Sequence, residues 1–234
     1  MPSREGRPLP RRVPDPLTRS DKVRLTRLRH ALLDWYAEHG RSLPWRDDSA
    51  STFERICVEV LLQRTRAETV ARVYPAFFGR FHSWDELAAA SHEELEDHFK
   101  PIGLWQRRAR SMKALATYAA ARGGTFPDTV EGLAEVPAVG QYVGNAILVF
   151  QHDQNRPFLD VNMARLIERY IRPRKLADIR FDPWLQAAAH WLVRGEQRIE
   201  INWAALDFAS AICTARNPRC AVCPLARRCP AARA

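Results

Sequence analysis

Lysine is scarce in this chain. Lys22, Lys100, Lys113 and Lys175 are the only lysines among 36 basic residues, so arginine carries nearly all the positive charge. An amine nucleophile able to form a Schiff base therefore has few places to come from. No run of about 18 apolar residues occurs, which argues against a membrane-spanning helix. The N-terminal stretch also lacks the apolar segment of a secretory leader, so an unsecreted, cytoplasmic protein is expected. In that reducing setting the five cysteines are not expected to form a disulfide framework. Clear two-residue alternation is missing too, so no strand is expected, and no internal repeat is visible.

At 234 residues, 46% of them hydrophobic, the chain can bury a core as one large domain or two small ones. Its formal net charge of +9 is compatible with a polyanionic partner. Residues 1–20, rich in Pro and Arg without apolar periodicity, read as a flexible basic arm. Ser20 and Asp21 can cap a helix carrying Leu25, Leu28, Leu32 and Tyr36 and ended by Gly40. Ser51 opens a second, with Phe53, Ile56, Cys57, Val60 and Leu61 on one face, and Val70, Val73, Tyr74, Phe77 and Phe78 mark a third. Further helical patterns fall at about 84–98, 105–121, 128–136, 141–151, 162–172, 183–194 and 203–213. The expected fold class is all-α.

Two stretches carry candidate chemistry. A helix ending at Pro137 and another starting near Gln141 flank the turn Ala138-Val139-Gly140. Such a turn can direct successive backbone N–H groups beside a helix N-terminus toward a phosphate oxygen, without reading any base. Near the C-terminus, Cys213, Cys220, Cys223 and Cys229 are spaced C-x6-C-x2-C-x5-C, with Pro218, Pro224 and Pro230 opposing helix formation. Four thiolates so close together call for a metal: zinc takes four thiolates, and an iron–sulfur cube does so with less demand on spacing. Cys57, on an apolar face, reads as core, and Arg216, Arg219, Arg227 and Arg228 as either a phosphate rim or a solvated surface.

Together, the turn, the Asp160 that follows it and the four-cysteine tail resemble the helix-hairpin-helix (HhH-GPD) DNA glycosylases that hold a [4Fe–4S] cluster. The likeness runs from about Leu25 to Cys229 and includes Leu43-Pro44-Trp45-Arg46, Glu59-Val60-Leu61-Leu62-Gln63-Arg64-Thr65 and Ile102-Gly103-Leu104-Trp105. Gln63-Arg64-Thr65 and the segment Asn202 to Cys213 look similar to the mismatch-specific thymine-DNA glycosylases. Ala138 stands where the family's hairpin usually has glycine.

The resemblance implies a discontinuous two-lobed α fold, with one lobe at 45–155 and the other formed by 21–44 plus 156–234 around the cluster. It implies a monomer acting on double-stranded DNA that contains a mismatched or damaged base. Asp160 would sit beneath the sugar of a flipped-out nucleotide, where a carboxylate stabilises an oxocarbenium-like transition state. Asn162, closer to the start of the following helix, can cap it, which leaves Asp160 freer for catalysis. Glu59, its pKa raised by partial burial, would serve as an acid or hold water. Arg64 would fill the gap left in the duplex. Gln63, Val139, Gly140 and Gln141 would contact DNA. Tyr142 occupies the position where strand-cleaving relatives carry a lysine, and a phenol cannot form a Schiff base. The implied activity is monofunctional removal of thymine or uracil opposite guanine in base excision repair. Adenine removal opposite guanine or 8-oxoguanine, action on another modified base, and a non-catalytic DNA damage-binding module are the alternatives.

Overall fold

The computed structural model describes residues 16–233, so residues 1–15, most of the expected basic arm, lie outside the described residues. Eleven α-helices and no strands are found among the described residues. The first, α1 (Arg19–His39), starts earlier than the sequence suggests. Thr18 and Asp21 form a reciprocal capping box, the threonine side chain accepting from Asp21 N at 3.0 Å and Asp21 Oδ2 from Thr18 N at 3.1 Å. Ser51 and Glu54 form a second such box at α2 (Thr52–Leu61).

Helix α3 (Ala67–Arg80) follows, and the single helix expected over about 84–98 is two: α4 (Trp84–Ala89) and α5 (His92–Phe99). Ser91 Oγ accepts from Glu94 N at 3.0 Å, giving the second segment its own start and breaking the ladder at Ala90. The chain continues through α6 (Trp105–Ala120), α7 (Val130–Ala134), α8 (Gln141–Phe150), α9 (Val161–Tyr170), α10 (Pro183–Val193) and α11 (Arg198–Ala211). The last begins about five residues before the expected 203, because the charged Arg198 and Glu200 obscure the apolar pattern there.

Two main apolar clusters organise these helices. One joins residues of α2 through α8, with Ile56, Phe77, Phe99, Met112, Val143 and Ile147 all but inaccessible. The other joins α1 with α9, α10 and α11 through Leu25, Leu28, Met163, Leu185 and Phe208. Each such side chain contributes roughly 1.5–3 kcal/mol by leaving water. Between them, Ala146, Val149, Phe158 and Trp203 form a small third cluster.

The extended segment at 155–159 passes through this junction and is held by two buried amides. Asn145 Nδ2 donates to Pro157 O at 2.9 Å, while Asn202 Oδ1 accepts from Phe158 N at 2.6 Å and its Nδ2 donates to Arg156 O at 2.9 Å. Leaving such partners unsatisfied costs about 1–3 kcal/mol each. These bonds deliver the chain to Asp160 in a fixed register.

Candidate active site and thiol loop

The turn before α8 is built on strain. Ala138 adopts φ +63°, a left-handed conformation that costs a side chain about 1–2 kcal/mol. Val139 N donates to Val136 O at 3.2 Å, so its N–H closes the turn. Gln141, the first residue of α8, donates its side chain to Gln186 Oε1 on α10 at 3.0 Å. What the turn does present is the N-terminus of α8, capped by Gly140 with no side-chain acceptor over its first N–H groups. That end carries the positive pole of the helix dipole.

At the second position of α8, Tyr142 donates its hydroxyl to Glu59 Oε2 at 2.8 Å. Glu59 lies on the last turn of α2 and is only 2% exposed. Burial pushes its pKa up to about 7, with the nearby Asp160 charge in the same direction and the Tyr142 hydrogen bond and Arg46 opposing it. Burial, together with the two carboxylates, keeps the Tyr142 phenol well above its ordinary pKa, so it remains a donor. Because that bond favours ionised Glu59, Tyr142→Phe is expected to raise the Glu59 pKa further. A pH–rate profile should show the corresponding inflection displaced upward, and an unmoved inflection would mean the hydroxyl does not tune the acid.

Asp160 is the N-cap of α9, correcting the expectation that Asn162 would take that place. Its Oδ1 accepts from Asn162 N and Met163 N, both at 2.8 Å, and Oδ2 accepts from Asn162 Nδ2 at 2.6 Å. Burial raises the Asp160 pKa, while these donors and Arg165 pull it back. With three hydrogen bonds to Asp160 and one to Glu59, the anion resides preferentially on Asp160. Capping and an ionised carboxylate are compatible, because capping uses the same acceptor oxygens that stabilise the charge.

Three further residues shape the site and were not singled out individually from sequence. Arg46 stacks over Trp203 and directs both terminal nitrogens at Asp207, at 2.7 and 2.9 Å. Arg41 joins the same carboxylate from its backbone N at 2.9 Å and its Nε at 2.8 Å. Burial would raise the Asp207 pKa, but the two arginines hold it below the ordinary value. This network fixes Arg46 beside Glu59. Gln63 and Arg64 do not join it. They are exposed on the turn after α2, with Arg64 at φ +59°.

The four tail cysteines surround a single cavity of about 150 Å³, whose walls also include Leu166, Arg169, Tyr170 and Phe208. Among the described residues, no three His, Cys, Asp or Glu side chains are placed to hold one ion. Four thiols lining one such volume suit a cube in which each binds a different iron. Helix α9 links this loop to Asp160. Arg165 Nε donates to Cys213 O at 3.0 Å and its Nη2 to Asn162 Oδ1 at 3.1 Å, while Arg169 donates to Thr214 O at 2.7 Å. Cys57 is a fully buried core residue.

Residues 57–178 match the model of the HhH-GPD superfamily base excision DNA repair protein, and residues 213–229 match the iron–sulfur binding domain of endonuclease III. A thymine-DNA glycosylase from Aeropyrum pernix is 35% identical over 88% of this chain and 94% of its own length. A thymine/uracil-DNA glycosylase from Pyrobaculum aerophilum is 34% identical over 87% of this chain and 90% of its own. The solved structure of a thermostable thymine-DNA glycosylase superimposes with a TM-score of 0.83 at 25% identity, covering 92% of this chain and 99% of the other. The chain belongs to the HhH-GPD superfamily of base excision DNA repair proteins. Its tail is an iron–sulfur domain for a [4Fe–4S] cluster, DNA is its partner, and no helix of the described residues is long and apolar enough to cross a membrane.

Proposed function

We propose that this protein is a monofunctional DNA glycosylase that removes thymine or uracil opposite guanine from double-stranded DNA, acting as a monomer in the cytoplasm at the nucleoid. The observation that carries the reading is the pairing of Glu59, its pKa near 7, with the triply hydrogen-bonded Asp160 at the mouth of the hairpin helix. When two carboxyls differ in environment, the one that keeps its proton acts as the acid and the other as the anion. Glu59 would protonate the departing base, while Asp160 would stabilise positive charge developing on the sugar as water adds. Tyr142, with a phenol in place of an amine, leaves the sugar–phosphate chain uncut.

Two lobes, at 45–155 and at 21–44 plus 156–234, are proposed to grip the duplex between them, the α8 N-terminus and the arginines near the thiol loop meeting backbone phosphates. Arg64 would occupy the space vacated by the flipped nucleotide. Cys213, Cys220, Cys223 and Cys229 would hold the cluster, which when bound cross-links the tail. Thymine and uracil are favoured by the two relatives named for those bases.

The reading is tested with a panel of duplexes containing T·G, U·G, A·G, A opposite 8-oxoguanine, or alkylated bases. Free thymine and uracil should be released, with strands breaking only after alkali and no protein–DNA adduct trapped by borohydride. Processing of the adenine substrates alone would establish the adenine reading. Tight binding with no base released from any duplex would establish a damage-binding module.

A further inference from the structure

Of the four non-glycine residues in the left-handed region among the described residues, two stand at exposed turns on either side of one buried side chain: Arg64, at φ +59° after α2, and Leu104, at φ +52° before α6. Leu104 is a large apolar side chain left 55% exposed at that tip. One buried side chain ties both turns together. Arg108, 7% exposed, donates from Nε to Gly103 O at 2.8 Å and from Nη1 to Leu61 O at 2.9 Å. Its Nη2 donates to Gln63 O at 2.9 Å and to the Thr65 hydroxyl. The acceptors thus flank Arg64 on both sides and immediately precede Leu104. No carboxylate contributes to its environment, which burial alone perturbs.

A guanidinium placed in the interior costs desolvation, and merely closing the end of a surface helix does not require it, since water or a glycine cap does that. Here its rigid fork instead holds two tips in one geometry across a separation of about 40 residues in sequence. Resting on the glycosylase reading, we propose that Arg108 is a positioning residue that locks the Arg64 and Leu104 turns into a single two-pronged wedge, opening the duplex at the target pair. The planar cation would enter on one side of the gap and the apolar prong on the other, and a wedge works only while both prongs keep their spacing.

The test compares the wild-type protein with Arg108→Met, which keeps the bulk and loses the donors, and with Arg108→Lys, which reaches fewer acceptors at once. Duplexes carry 2-aminopurine beside a U·G pair, and a second set places the same uracil opposite an abasic gap, where less opening is needed. At saturating protein, the Met variant should give less than about a third of the wild-type fluorescence rise. Its single-turnover rate should fall on the order of 30- to 100-fold on the U·G duplex, as expected for misplacement by about 1 Å, yet stay within about threefold on the gapped substrate. Lys should fall between.

An unchanged fluorescence rise, or equal slowing on both substrates, would overturn the brace. If Met does not fold, Lys carries the same comparison. A wild type that opens the duplex but releases no base defeats the glycosylase reading alone, and the fluorescence comparison still decides the role of Arg108.

Discussion

Asp160→Asn is expected to lower the single-turnover rate of base release by a factor on the order of 10³ or more, about 4 kcal/mol of transition-state stabilisation, while duplex binding persists. Asparagine caps helices about as well as aspartate, so its amide oxygen can keep the bonds from Asn162 N and Met163 N that hold the start of α9. The lost element is the charge, together with the acceptor facing Asn162 Nδ2. Melting curves should therefore differ little. A variant that melts like the wild type and retains more than about a tenth of its rate would remove Asp160 from the chemistry.

Glu59→Gln should slow release by about 10²- to 10³-fold and also reshape the pH dependence. With a pKa raised to about 7, Glu59 holds its proton below that pH and loses it above. As the acid, it makes the wild-type rate level off below about 7 and fall roughly tenfold per unit above it, and glutamine abolishes that limb. A wild-type rate that instead climbs through 7 would make Glu59 the base that activates water.

Much of this was legible in the chain because it is local. Apolar spacing located most helices, and the cysteine spacing, free of any fold argument, announced the metal loop. Glu59, Tyr142 and Asp160 were each picked out, and the structure couples them. What escaped was set by long-range polar partners. Arg108 meets residues more than 40 positions away, Asn202 reaches Phe158, and Arg46 reaches Asp207 across 161 positions. A trace of these was present, since Asn145 and Asn202 interrupt apolar helix faces, where a polar residue signals a buried bond. The cap of α9 was misassigned because Asp160 and Asn162 are both good capping residues, and only backbone geometry chooses between them. The break at Ala90 was hidden because helical periodicity continues across it.

The segment that leads into Asp160 is anchored by carboxamides, Asn145 and Asn202, and not by ions. Neutral amides neither titrate nor shed counterions, so added electrolyte has little hold on them. Attachment to a polyanion, in contrast, loosens as electrolyte is added. On the proposed reading the molecule would thereby separate grip from chemistry: a saline shift would alter how long DNA stays, while a seated nucleotide would meet the same carboxylate in the same place.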